Sequence, residues 1–421
     1  MRQIIDFHIH SKYARATSKF FELDVMVEWA EIKGVDIISC ADFTHPRWYE
    51  NLKKNLEEDN NSGLYKLKNL DSKVRFIIST EISCIYRQND KTRRVHLCIL
   101  MPNLEAAGKF NKLLEDAGAK LASDGRPILG MSAKQVLKFM LEADKRAMMI
   151  PAHAWTPWFA VFGSKSGFDS LEECFEELTP HIKAIETGLS SDPIMNWRLS
   201  KLDDITLVSN SDAHSGPQIG REANVMELRE RTYNEIIDII ATKDKKRFLY
   251  TIEFYPEEGM YHVDGHRDCK FSCTPKESQK LKNLCPKCKK PLTIGVLTQV
   301  DKLANISEKD LDKTKHIPYK SIVPLPNIIA DYFGMRKQSK RVQNLFLDII
   351  KQADNEFNVL LDLSELELKK IMPDILAEGI IKMRQNKIKL IPGFDGEYGK
   401  VEIFSDKERQ EAKLNKQTKL F

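Results

Sequence analysis

The first 250 residues alternate short apolar runs with longer stretches in which apolar positions recur every three or four residues. The short runs predict strands at residues 3–7, 35–41, 74–80, 96–101, 147–152, 183–186 and 205–210. The 3.6-residue pattern predicts helices at 24–33, 104–117, 132–143 and 171–178. Strands that alternate with crossover helices imply an α/β domain on a parallel sheet. Seven of them in this length fit a closed barrel better than an open three-layer sheet. After residue 250 the pattern changes. Residues 253–265 are rich in Gly, Pro and acids, a cysteine cluster follows, and amphipathic helices resume at residue 322. Residues 301–320 read as a charged linker or lysine-rich edge, 392–396 as a turn and 400–404 as a short strand. The expected order is a barrel at 1–250, a small cysteine-rich module at 251–300, a mainly helical domain at 301–404 and a loose tail at 405–421.

Composition adds two constraints. With 421 residues, 42% hydrophobic and 30% charged, the chain can fill two or three cores. No run approaches the roughly 18 apolar residues of a membrane span, and the first ten residues lack the features of a secretory signal, so a cytoplasmic protein without membrane contact is expected. The net charge of +4 hides an asymmetry: residues 1–250 hold 35 basic and 36 acidic side chains, whereas 261–350 hold 17 and 9. That basic stretch, with lysines at 270, 276, 280, 282, 287, 289 and 290, suits a polyanion. A solvated lysine-rich face is the alternative.

Candidate chemistry collects at the strand ends. His8 and His10 follow the first strand at period two, which points both imidazoles to one face. Asp42 and His45 follow the second, Glu81 the third, His153 the fifth and Glu186 the sixth; His96 borders the fourth, and Asp212 with His214 follow the seventh. In a parallel barrel all these ends share one rim. Six of the ten histidines in the chain occupy such positions, which random packing of the domain would rarely produce. Mixed imidazole and carboxylate donors suit Zn, Mn or Fe, and a carboxylate such as Glu81 can bridge two ions. Two bridged ions are suited to attack on phosphorus, so phosphoester hydrolysis is the expected reaction.

These residues, in this order, resemble the polymerase and histidinol phosphatase (PHP) domain. The resemblance implies a distorted seven-stranded barrel with two divalent metals (Zn, Mg or Mn) and an optional third, and a catalytic set of His8, His10, Glu81, His96, His153, Asp212 and His214. Asp42 and His45 complete the implied metal ligands. This chain departs from the family where an acid or histidine usually follows the first His pair, because it has Ser11 onward, and where Asp-His usually follows strand two, because two residues separate Asp42 from His45. Within that family, ADFTHPRW at 41–48, PAHAWTPW at 151–158, GSKSGFD at 163–169, ETGLSSDP at 186–193 and YHVDGHR at 261–267 are similar to endonuclease Q. Members of that family nick DNA on the 5′ side of deaminated bases (hypoxanthine, uracil, xanthine) and of abasic sites.

The remaining motifs fit that implication. Cys285 and Cys288 form a Cys-x2-Cys knuckle that favours a structural zinc over a disulfide in an unsecreted chain. His266 and Cys269 complete the favoured set, with Cys273 as the rival to His266. Trp155, Trp158 and Phe159 follow His153 and would either fill the core or wall an extruded base, with Ser164, Lys165 and Ser166 as donors to a lesion carbonyl. Arg336, Lys337, Lys340 and Arg341 would contact phosphates, with a solvated helix face as the alternative. The C-terminal string from Lys416 resembles a shortened sliding-clamp (PCNA-type) motif with Gln417 as polar anchor and Leu420 and Phe421 as plug. The alternatives are a small-molecule phosphoesterase on the same barrel, which the first 250 residues alone favour almost equally, and a non-catalytic nucleic-acid-binding protein.

Overall fold

The structure, a computed structural model, describes residues 1–414, so the clamp-motif residues Gln417, Leu420 and Phe421 lie outside it. Strands β1 (Arg2–Asp6), β2 (Ile37–Ser39), β3 (Arg75–Gln88), β4 (Lys91–Met101) and β5 (Met148–Pro151) lie side by side. Beside them, β6 (Ala184–Glu186) and β7 (Thr206–Val208) form a parallel pair in contact with β5. The sheet then continues beyond β1 through β8 (Ala223–Glu227), β9 (Phe248–Glu253) and the edge strand Tyr319–Ser321.

Two expectations about this sheet are corrected. It is mixed rather than parallel: β1, β2 and β3 pair parallel, but β4 is antiparallel to β3 and to β5, and β8 is antiparallel to both β1 and β9. The cause at β4 is local. Asn89 and Asp90 sit at φ 52° and 57°, the left-handed pair that a two-residue hairpin needs, so β3 turns straight back. Residues 301–320 are also more than a linker, since Tyr319–Ser321 pairs parallel with β9.

The helices follow their sequence patterns. Helix α1 (Leu23–Lys33) buries Leu23, Met26, Val27 and Ala30, at i, i+3, i+4 and i+7, and stops at Gly34, whose φ of 85° lets its N–H reach Ala30 O. The 171–178 helix is cut to Leu171–Phe175, because Glu176 has φ 51° and Pro180 follows, leaving a 3₁₀ stretch to His181. The helices Leu325–Phe333, Lys340–Ala353, Glu365–Ile371 and Asp374–Arg384 pack together, and Phe357 meets the sheet domain at Gly220.

One buried ion pair fixes these helices to α1. Lys33 Nζ lies 2.6 Å from Glu356 Oε2 with both side chains 3% exposed, and Glu356 Oε1 accepts the Leu325 N–H at 2.8 Å. Removing one partner leaves an uncompensated charge in the interior, which costs about 3–5 kcal/mol. Glu356→Ala should therefore lower the unfolding free energy by about that amount in urea titration. Lys33→Met combined with Glu356→Leu should recover most of the loss but not all, because the Leu325 N–H stays unpaired.

Candidate metal centre

The site is assembled on a polar floor. The buried Asp6 carboxylate at the end of β1 accepts the N–H groups of His8 (3.3 Å), Ser211 (3.1 Å) and Gly220 (3.2 Å), and burial pushes it up to about 6. Asn210 accepts the Phe7 N–H at 2.9 Å and donates to Glu186 Oε2 at 3.0 Å. These bonds lock the turn after β7 to the end of β1, and so set Asp212 opposite His8 and His10.

Glu81 occupies the middle. Its Oε2 faces His8 Nε2 at 3.5 Å and His10 Nε2 at 3.2 Å, while Asp212 Oδ1 lies 3.6 Å and 3.0 Å from the same two nitrogens. Its Oε1 faces His96 Nδ1 at 2.8 Å and His153 Nε2 at 3.2 Å, and those nitrogens are 3.2 Å apart. Donors on a tetrahedral ion with bonds of 2.0–2.1 Å stand roughly 3.3 Å from one another. The two groups, His8–His10–Glu81–Asp212 and Glu81–His96–His153, match that spacing and share one carboxylate.

The outer nitrogens are held as ligating imidazoles require. His8 Nδ1 bonds Glu186 at 3.0 Å, His10 Nδ1 bonds Asp42 at 3.1 Å and His153 Nδ1 bonds Thr156 Oγ1 at 3.2 Å, so each Nε2 points to the centre. Three of these residues adopt left-handed backbone without being glycine: Asp42 (φ 33°), His153 (φ 31°) and Asp212 (φ 46°). Such strain costs roughly 1–3 kcal/mol per residue and persists where surrounding structure enforces it, typically at functional sites.

Electrostatics point the same way. Burial alone would raise the Glu81 carboxyl, but Arg126 at 2.8 Å, His96 and His8 hold it well below the usual range. Burial opposes ionisation of Asp212 too, and His8 and His10 overcome it. Burial lowers His96 to about 4, leaving a neutral imidazole with a free lone pair. The carboxylates are ionised, as divalent ions require.

Above the centre lies a cavity of about 350 Å³ reached by His96, His153, Asp212, Trp158, Phe159 and Tyr261. Trp158 is 37% exposed and meets Tyr261 edge-on, with centroids 5.6 Å apart; Phe159 packs on His96 at 4.7 Å. The third aromatic is a correction. Trp155 is 1% exposed, packs on Phe162 and donates to Asn196 Oδ1 at 2.7 Å, so it supports the loop from beneath and offers no stacking face. Ser164, Lys165 and Ser166 are likewise displaced: they line a separate polar cavity with Arg93, Gln299 and Lys302, and Ser166 Oγ accepts the Phe159 N–H.

Other predicted ligands stand around the centre. Asp42 supports His10, its second oxygen taken by the Ser11 N–H and hydroxyl. His45 is not brought in; it stacks on Tyr13 at 4.1 Å. His214 lies beside His10, 4.5 Å between ring centroids, with Nδ1 on Asp212 O. The sequence reading missed Arg126, a lone loop arginine with no motif to mark it. It noted Glu186 at a strand end without giving it a role.

The second cluster joins His266, Cys269, Cys285 and Cys288, whose donor atoms all lie within 4.8 Å of one another. The hairpin Asp264–His266/Phe271–Cys273 supplies the first two. Cys273 is instead buried in a small core with Cys285 and Leu292. That core is too slight to hold the segment unaided. The N–H groups of Cys288 and Lys287 lower the Cys285 thiol against the opposing effect of its burial.

A profile of the MJ0043 C-terminal domain matches residues 324–387. The chain is 32% identical over 257 residues to the uncharacterized protein MJ0043 of Methanocaldococcus jannaschii, covering 59% of this chain and only 31% of that one. It is 26% identical to the uncharacterized protein YqxK of Bacillus subtilis over 94% of this chain and 98% of the other. Among solved structures, the lesion-specific endonuclease PfuEndoQ of Pyrococcus furiosus superposes with a TM-score of 0.84 at 28% identity, over 95% of both chains. Endonuclease Q in complex with a 27-mer duplex carrying an abasic lesion gives the same TM-score and identity over 97% of this chain and 98% of that one. The resemblance to endonuclease Q extends across nearly the whole chain.

Two measurements probe this arrangement. Cys285→Ser should remove one metal equivalent and lower the melting temperature while the ions at the Glu81 centre stay bound, because the two clusters share no residue. Separately, burial raises both Glu222 and Glu253, Glu253 to about 8, and each charge opposes the other. The folded chain thus keeps a proton that the unfolded chain releases near pH 4.3, so this pair lowers stability as pH rises from about 4 to about 8. Glu253→Gln should flatten that part of the profile, with its largest relative stabilisation above pH 8 in thermal unfolding.

Proposed function

We propose that the chain is a metal-dependent DNA repair endonuclease that takes a deaminated base (hypoxanthine, uracil, xanthine) or an abasic nucleotide out of the duplex and hydrolyses the phosphodiester on its 5′ side. The observation that carries this reading is the Glu81 carboxylate shared between two donor groups at the floor of a cavity lined by aromatic side chains. The whole-length likeness to an endonuclease Q bound to lesion DNA supports it.

Residues 1–250 are read as a PHP-type seven-stranded barrel, with two divalent ions (Zn, Mg or Mn) on His8, His10, Glu81, His96, His153 and Asp212. Ions held there would supply a nucleophilic water at neutral pH and offset charge on the phosphate. The chain's own groups prepare the site. Arg126 keeps Glu81 ionised, and Glu186 and Asp42 orient His8 and His10. Asp212 lines the cavity together with His96 and His153, where a phosphate would arrive. Trp158, Phe159 and Tyr261 form flat walls for one base. Ser190, which lines this cavity, replaces the 163–167 loop as a donor to a lesion carbonyl. Against a third ion, Ser11 occupies the Asp42 oxygen that would face it.

Residues 251–300 form the zinc module, its lysines at 270, 276, 280, 282, 287, 289 and 290 all exposed to meet phosphates. Residues 301–404 are the DNA-binding helical part. The tail carries the clamp motif at Gln417, Leu420 and Phe421.

A labelled duplex with one deoxyinosine, deoxyuridine or abasic site, incubated with Mg²⁺, Mn²⁺ or Zn²⁺, should be nicked once, 5′ to the lesion. Asp212→Asn should abolish nicking and change DNA affinity by no more than a few fold, since most phosphate contacts lie elsewhere. Hydrolysis of histidinol phosphate with every lesion duplex left intact would overturn the reading in favour of the phosphoesterase.

A further inference from the structure

We infer that Tyr398 is the side chain that enters the duplex and fills the gap left by the extruded nucleotide, an inference that rests on the proposed endonuclease function. Tyr398 is 76% exposed, yet it lines the cavity above the metal centre. The walls of that cavity are already supplied by Trp158, Phe159 and Tyr261, which leaves Tyr398 at its lip. Tyr398 therefore presents an uncovered aromatic face beside the opening through which an extruded nucleotide would pass.

The turn that carries it is rigid. It joins the antiparallel strands Lys389–Ile391 and Lys400–Glu402, with Asp395 and Gly396 at φ 46° and 86°. The Gly393 N–H donates to Glu257 O at 2.8 Å, Gly396 N–H to Met260 O at 3.0 Å and Gly399 N–H to Glu258 O at 3.2 Å, which fixes it to the segment that follows β9. On the other side, Asp395 accepts the Arg267 N–H and the Thr293 hydroxyl, both at 2.6 Å. A ring presented on a stiff support loses little entropy on insertion. Phe20 is more exposed, at 82%, but does not line the cavity. Proteins that unstack DNA commonly insert such an apolar or aromatic wedge, and stacking on a base is worth enough to hold the opened state.

The test compares wild type, Tyr398→Ala, Tyr398→Phe and Phe20→Ala on two substrates: an abasic site within a paired duplex, and the same lesion in an unpaired bulge that needs no opening. Wild-type nicking of the paired duplex is the prior check on the function itself. Tyr398→Ala should lose about tenfold or more on the paired duplex and stay within about twofold on the bulge, while Tyr398→Phe keeps both. A 2-aminopurine beside the lesion, read in an Asp212→Asn background, should report less unstacking when Tyr398 is also Ala. Equal losses on both substrates would instead place Tyr398 against the extruded base, and overturn the inference. So would full activity of Tyr398→Ala, or a selective loss confined to Phe20→Ala.

Discussion

A buried, ionised carboxylate must be compensated, and Glu81 is where this structure meets that constraint. Removing such a group from water costs several kcal/mol even after relaxation. Arg126 offsets part of it directly, and the imidazoles of His8, His10, His96 and His153 crowd its two oxygens from opposite sides. One arginine and a ring of nitrogens aimed inward form a costly core but an appropriate cradle for divalent cations. The left-handed backbones of Asp42, His153 and Asp212 are the strain accepted to aim those groups. The floor formed by Asp6, Asn210 and Glu186 holds them there.

The position of the site was legible because it is written at strand ends, where a period-two signal places side chains by register alone. His8 and His10, His153 and Asp212 come together where their spacing implies. Glu81 and His96 come too, but by a different route: β3 runs on to Gln88 and β4 returns antiparallel, so both reach the centre from mid-strand. The Asn89–Asp90 pair that reverses the chain tolerates left-handed backbone but lacks the glycine of the strongest hairpin signal, so the sequence does not mark the reversal plainly. Strands β8 and β9 were also passed over, and they extend the sheet on its other side.

What could not be read depends on which way a side chain turns. Trp155 and Trp158 are three residues apart in one loop, and only packing decides that the first sits on Phe162 and the second meets solvent. The 163–167 loop looked like a set of donors because it follows the aromatics in sequence. Gly163 and Gly167 close it on itself, where a Cβ at either would strike backbone at about 2.5 Å, and this folds it away from the mouth. Arg126 carries no pattern at all, since a single long side chain from a loop reaches Glu81 only in three dimensions.

The two donor clusters differ in what their ligands could do. Thiolates with one imidazole would make a closed, structural set, whereas the mixed nitrogen and oxygen donors around Glu81 would leave room on the cavity side. The closed set is not remote from the open one. Arg267 and Thr293 of the cysteine-rich segment hold Asp395, and Asp395 belongs to the turn that overhangs the catalytic cavity. Gly265, on the ligand-bearing hairpin, lies against Phe394 so closely that a Cβ there would clash with the ring. A segment with so small an apolar core has little else to keep its shape, so an ion held at Cys285 and Cys288 would indirectly set the position of the cavity's lip.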